Sequence, residues 1–262
     1  MQAVAGVPPD YFNDEGQLWG MPIFNWDQLK HTHYEWWLQR IRRNMEWFDL
    51  LRLDHFRAFS AYWEVPAGEK TAVKGMWIKG PGHELFRLLQ KEMKELPFVA
   101  EDLGEIDDEV YELRDKFRLP GMKVLQFAFG EDMATSPHIL HHHAENFIAY
   151  TGTHDNNTTR GWYFQDMDRN GRRRLNDYTG RRVSEKDAHN VLCRLAYSSV
   201  AKTAIIPMQD VLGLDGEARM NKPAATTGNW LWRIMPGQLT EKVVEQLKEW
   251  TGTYDRDPID RA

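Results

Sequence analysis

Apolar positions along the chain follow two alternating patterns. Trp37, Ile41, Met45 and Phe48 recur at three- and four-residue intervals, and so do Leu85, Leu88, Leu89 and Met93, then Val110, Leu113 and Phe117, and finally Val243, Leu247 and Trp250. That spacing puts each set on one face of an amphipathic helix. Between them lie short continuous apolar runs at 49–53, 97–100, 123–129, 146–151 and 203–208. These are too short for helices and rich in Val, Ile, Leu and Phe, as parallel strands covered on both faces are. Strand alternating with helix predicts an α/β protein with a parallel sheet, read here as a single domain over 1–262. The pattern yields five strands and no sixth, short of the eight in a closed barrel. An open doubly wound sheet usually has a Gly-rich phosphate turn after its first strand, but here Asp54-His55-Phe56-Arg57 follows. Residues 1–25 hold Pro8, Pro9, Gly16, Gly20 and Pro22, which predicts a long irregular loop anchored by Tyr11, Phe12, Leu18, Trp19 and Phe24.

Three of the five runs lead into an acid. Leu50-Leu51-Arg52-Leu53 is followed by Asp54, and Phe98-Val99-Ala100 by Glu101. Phe147-Ile148-Ala149-Tyr150 leads through Thr151-Gly152-Thr153-His154 to Asp155. In parallel α/β folds the carboxyl ends of the strands carry the active site, so these acids are expected at one rim. Each acid taken singly also fits a helix N-cap. Arg52 and Asp54 weigh against capping at the first strand. Residues two apart on a strand share a face, and a cation there favours the charged carboxylate. An ionised carboxylate beside a protonatable one is what a retaining glycosidase requires. The apolar approach Phe98-Val99-Ala100 favours a desolvated Glu101 with a raised pKa.

Composition narrows the class. Lys plus Arg is 33 and Asp plus Glu is 39, a net charge of −6. An acidic balance provides no general attraction to nucleic acid or an anionic membrane, so neither is expected as a partner. No apolar run approaches the roughly 20 residues of a membrane helix, and the N-terminal residues lack a secretory signal pattern. Cys193 is the only cysteine. That excludes internal disulfides and Cys-based zinc sites and fits a reducing, cytoplasmic location. No cofactor is expected. Of 11 Trp, 12 Phe and 9 Tyr many are expected in the core, and a surplus of such flat rings also suits a sugar-binding cleft.

Three ordered motifs, Arg52-Leu53-Asp54-His55-Phe56-Arg57, Ala100-Glu101-Asp102-Leu103-Gly104 and Gly152-Thr153-His154-Asp155-Asn156, resemble those of the 4-α-glucanotransferases, the amylomaltase or disproportionating-enzyme family of the α-amylase clan. Val4-Ala5-Gly6-Val7-Pro8-Pro9-Asp10-Tyr11-Phe12 and Gly16-Gln17-Leu18-Trp19-Gly20 resemble that family's active-site loop. Pro207-Met208-Gln209-Asp210-Val211-Leu212-Gly213 and Arg219-Met220-Asn221 resemble its last strand and the loop after it. The resemblance runs over residues 3 to 235 and implies a (β/α)8 barrel. The five strands would then be barrel strands four to eight, with the first strands on a missing N-terminal segment. It implies Asp54 as nucleophile, Glu101 as general acid/base and Asp155 as third acid. Arg52 and His154 would assist them, and Trp19, Asp10 and Asn221 are further substrate contacts. The implied substrate is a malto-oligosaccharide or starch-derived glucan and the implied reaction is α-1,4-glucan transfer by double displacement. An α-glucan hydrolase of the same clan and an inactive glucan-binding relic are the alternatives.

Other signals have plainer readings. His141-His142-His143, with His138 nearby, reads as a polar loop because adjacent residues do not project to one point and no spaced ligand set completes a site. Arg169, Arg172, Arg173, Arg174, Arg181 and Arg182 alternate with Asp166, Asp168, Asp177, Glu185 and Asp187, as on a solvated helix. Asp102 is expected to face away from Glu101, since neighbours on a strand point to opposite sides. Cys193 reads as a small buried residue.

Overall fold

The computed structural model describes residues 3–10, 13–104 and 106–257. They fall into two compact units, 1–121 and 122–262. Tyr11 and Phe12, expected to anchor the N-terminal loop, lie outside the described residues.

In the first unit the N-terminal segment is a hairpin rather than an irregular loop. β1 (Ala3–Val7) pairs antiparallel with β2 (Gln17–Pro22), with a bulge between Val4 and Gly6. The turn between them is built by Asn13, whose side chain donates to Gly16 O at 2.7 Å while its N–H donates to Asp10 Oδ1 at 2.8 Å. Gly16 sits at φ +65°, where a Cβ would lie 2.4 Å from Val7 O, so glycine is required there. Helices α1 (Trp26–His31) and α2 (Glu35–Met45) follow. Next come β3 (Leu51–Leu53), β4 (Ala61–Pro66), β5 (Met76–Lys79), α3 (Gly82–Met93), β6 (Phe98–Ala100) and α4 (Asp108–Lys116). β1, β2, β4 and β5 make one antiparallel sheet in the order β2-β1-β4-β5. The expected five strands omitted these four. They are half-buried, aromatic and polar by turns, as in β4 (Ala61-Tyr62-Trp63-Glu64-Val65-Pro66), and so show no continuous apolar run.

The expected parallel strands are present but shorter. β3 pairs parallel with β6 in the register Leu51↔Phe98, Arg52↔Val99 and Leu53↔Ala100. Their core is closed by Phe56, Leu85, Phe86, Leu89, Leu113 and neighbours from α3 and α4. Phe48, expected on the face of α2, lies past its end at Met45 and is exposed.

The second unit opens with β7 (Gly121–Val124), followed by β8 (Phe147–Tyr150), α5 (Thr159–Gly161), α6 (Arg169–Thr179), α7 (Ala188–Ser198), β9 (Thr203–Ile205), α8 (Met208–Val211) and α9 (Glu241–Thr253). The sheet order is β7-β8-β9, and β8 pairs parallel with β9, Tyr150 opposite Ile205. The run 123–129 leaves strand geometry at Val124 and tightens into a 3-10 turn at Leu125–Phe127; the run 203–208 stops at Ile205 because Pro207 caps α8. Leu125, Ile139, Leu175, Leu192 and Ala196 form the core. Among the described residues no helix is long and apolar enough to cross a membrane.

Candidate active site

The β3–β6 register carries directly into the first part of the site. With Leu53 opposite Ala100, the next residues, Asp54 and Glu101, leave the two strands side by side. Glu101 N–H donates to Leu53 O at 3.1 Å and Phe56 N–H to Glu101 O at 3.2 Å, which continues the ladder past the strand ends. Arg52 Nη1 lies 2.5 Å from Asp54 Oδ1, the same-face ion pair that the two-residue spacing predicts, and the Asp54 side chain is 76% exposed. The Glu101 carboxyl is half-buried. Its Oε2 accepts the His55 N–H at 2.6 Å and its Oε1 the Leu103 N–H at 3.1 Å. Burial pushes the Glu101 pKa up to about 7, with Asp54 adding to the rise; the two N–H groups and Arg52 oppose it. A poised acid therefore stands beside an exposed, cation-paired carboxylate.

A cleft of 820 Å³ opens beside Asp54 in the first unit. Asp54 and His55 line it together with Trp19, Phe24, Trp37 and Trp63. Trp19 stands on β2, with its ring edge-on to His55 at a centroid distance of 4.8 Å. Asp10 lies instead in the β1–β2 turn, where its carboxylate caps Asn13.

The second unit brings His154, Asp155 and Asn221 together. Asn221 Nδ2 donates to Asp155 Oδ1 at 2.5 Å, and His154 Nε2 is 3.2 Å from Asp155 Oδ2. Asn221 N–H donates to His154 O at 3.1 Å. Two residues to which the sequence reading assigned no role complete the group. Arg219 donates to Asp155 O at 2.5 Å, and the Trp230 ring lies 5.3 Å from that of His154. A 240 Å³ pocket is lined by His154, Arg219, Met220 and Trp230.

With this geometry in place, comparison with known proteins is decisive. Residues 1–240 match the family described as 4-alpha-glucanotransferase. The chain belongs to the 4-alpha-glucanotransferase family. The Aquifex aeolicus 4-alpha-glucanotransferase is 48% identical over 254 residues, which cover 97% of this chain and 51% of that protein. An amylomaltase from Streptococcus agalactiae, solved in complex with acarbose, matches with a TM-score of 0.91 at 40% identity, covering 97% of this chain and 51% of that one. An amylomaltase from Corynebacterium glutamicum shares the fold at a TM-score of 0.75 and 18% identity, over 95% of this chain and 40% of that one. The chain spans about half the length of the curated relatives it matches.

One buried acid of this glucanotransferase-family chain holds the Asp155 segment at both ends. Asp210, at α8, accepts from Thr151 Oγ1 at 2.6 Å, Thr159 N–H at 2.6 Å and Thr159 Oγ1 at 2.8 Å. Thr151 and Thr159 bracket His154 and Asp155. Burial raises the Asp210 pKa against the pull of these three donors. Asp210→Ala strands buried donors and is expected to lower stability by about 3 kcal/mol. The check is a fall in the urea midpoint at constant m-value.

The remaining sequence signals are structural. His143 Nδ1 lies 2.6 Å from Ser199 Oγ and its Nε2 3.0 Å from His138 O, so its ring pins a loop. Asp102 turns away from Glu101 into a buried ion pair with Arg114 at 2.5 Å. Arg172 and Arg174 of α6 cap backbone carbonyls of Tyr163, Phe164 and Phe129. Cys193 is buried in α7, and burial raises its thiol pKa.

Proposed function

We propose that this chain carries the catalytic carboxylates of a retaining 4-α-glucanotransferase acting on malto-oligosaccharides or starch-derived glucan. The observation that carries the reading is the Asp54–Arg52 ion pair set against a Glu101 raised to about 7. Asp54 attacks the anomeric carbon of an α-1,4-linked glucose while protonated Glu101 gives its proton to the leaving glycosidic oxygen. The products are a β-glycosyl ester on Asp54 and a shortened glucan. Glu101, now a carboxylate, takes the proton from the 4-hydroxyl of an acceptor. That oxygen attacks the anomeric carbon and displaces Asp54, restoring the α-linkage. Asp155, His154 and Asn221 hold sugar hydroxyls. Trp19 stacks an adjoining ring, and Asp10 serves as an outer polar contact from the hairpin turn. A glucan stacked in the aromatic cleft beside Asp54 would displace water from it, which favours transfer over hydrolysis.

In this reading β3, β6, β7, β8 and β9 are strands four to eight of a (β/α)8 barrel whose other strands are outside this sequence. The parallel β3–β6 and β8–β9 pairs support it. So do the exposed apolar residues beside β3 (Trp47, Phe48 and Leu50) and beside β9 (Val200 and Ile205), which further strands would cover. A cytoplasmic enzyme accords with the one buried thiol. The test is incubation with maltotriose. Transfer yields glucose and longer maltodextrins with the number of reducing ends unchanged. A rise in reducing ends identifies a hydrolase, and binding without any product identifies a glucan-binding relic.

A further inference from the structure

His55 joins the two parts of the first unit's site, and the acid/base role proposed for Glu101 gives that position its meaning. Its backbone is left-handed, φ 50° and ψ 52°. Few residues other than glycine adopt this conformation; Asn, Asp and His do so more readily than most. The conformation points the His55 N–H at Glu101 Oε2, 2.6 Å away. The imidazole extends the other way and meets the Trp19 ring edge-on at 4.8 Å. Burial and Arg57 depress the imidazole pKa to about 4 in spite of Asp54, so near neutral pH the ring is an uncharged packing surface.

We propose that His55 is a positioning residue. Its peptide fixes the acid/base carboxyl, and its ring ties that peptide to the β1–β2 hairpin through Trp19. A sugar stacked on Trp19 then bears on the peptide that orients Glu101, so occupancy of the cleft is coupled to the proton donor. The groups facing the Glu101 carboxyl are Arg52 and Asp54 from the β3 side, the His55 N–H, and the Leu103 N–H from its own segment. Of these, the His55 N–H is the one whose aim depends on a left-handed residue. An N–H bonded to a carboxylate stabilises its charged form. A peptide that turns away therefore leaves Glu101 protonated to higher pH and poorer as the base of the second step.

The test reads Glu101 directly and needs no turnover. The 262-residue chain is labelled with ¹³C at glutamate carboxyls, and the Glu101 resonance is assigned by its loss in Glu101→Gln. The wild-type midpoint is expected near 7. His55→Ala keeps the N–H but disfavours the left-handed backbone, and is expected to raise the midpoint by about one unit. His55→Asn tolerates that backbone but lacks the ring, so it should shift the midpoint only as far as Trp19→Ala does and less than His55→Ala does. Trp19→Ala should move the midpoint in the wild-type background and not in the His55→Asn background, where the ring is already gone. Equal midpoints in the Ala and Asn variants overturn the role of the peptide. A Trp19→Ala shift that is absent, or the same in both backgrounds, overturns the role of the ring. Failure of the transferase reading itself shows separately, as absence of product from maltotriose with the titration unchanged.

Discussion

In the proposed mechanism, Asp54→Asn is expected to stop glucose release from maltotriose and to leave the fold in place. Asn has nearly the volume of Asp, but its amide does not form the glycosyl ester on which double displacement depends. Removing the nucleophile of a covalent mechanism lowers kcat by on the order of 10,000-fold or more. The structural effect is small because the Asp54 side chain is 76% exposed and loses one ion pair, to Arg52. Exposed pairs contribute about 1 kcal/mol or less. A melting temperature within a few degrees of wild type together with loss of turnover therefore separates chemistry from folding. Turnover within tenfold of wild type would remove Asp54 from the mechanism.

Glu101→Gln produces the second large effect, and pH distinguishes it from the first. Gln neither donates nor takes up the proton, and loss of a general acid/base lowers the rate by roughly 100- to 10,000-fold. In the proposed mechanism the first step needs Glu101 protonated. Its pKa of about 7 means that the rate of glycosyl-enzyme formation falls as pH rises above 7, by roughly tenfold per unit at the limit. The Gln variant loses this limb. Stability changes through the same group. A carboxyl raised from its usual 4.5 to about 7 holds an extra proton in the folded state between those values. Its contribution is therefore fully present below 4.5 and lost as pH rises through 7. The melting temperature of Glu101→Gln relative to wild type should climb between pH 5 and pH 8. A constant difference would show that Glu101 titrates as it does in the unfolded chain.

The side-by-side placement of Asp54 and Glu101 was legible because two strands of a parallel pair announce themselves as short apolar runs, each ending in an acid. The i, i+2 rule then placed Arg52 beside Asp54, as the 2.5 Å contact shows. The Phe98-Val99-Ala100 approach likewise anticipated the raised Glu101. Other parts carried no local signal. β2 and β5 are mostly exposed, so no buried stripe marks them as strands. Gly16 and Pro22, read as loop residues, lie in the turn and at the end of a hairpin. Trp230 reaches His154 from a loop more than 60 residues away with nothing in its own neighbourhood to mark it, and Arg219, though within the Arg219-Met220-Asn221 motif, shows its bond to Asp155 O only in the structure. Asp210 stood within a recognised motif, but its part as a clamp on Thr151 and Thr159 follows only from burial and three convergent donors. His55 passed unmarked because sequence shows neither its left-handed backbone nor where its N–H points.

The measurement that bears most directly on the proposed chemistry is a crystal structure of this chain with acarbose bound, the ligand held by the related Streptococcus agalactiae amylomaltase. The account predicts one pseudo-sugar ring with Asp54 beneath its anomeric position and Glu101 on the bridging nitrogen, the two carboxyls about 5–5.5 Å apart. Acarbose seated away from Asp54, or carboxyls separated by the roughly 6.5–9.5 Å of an inverting site, would contradict it.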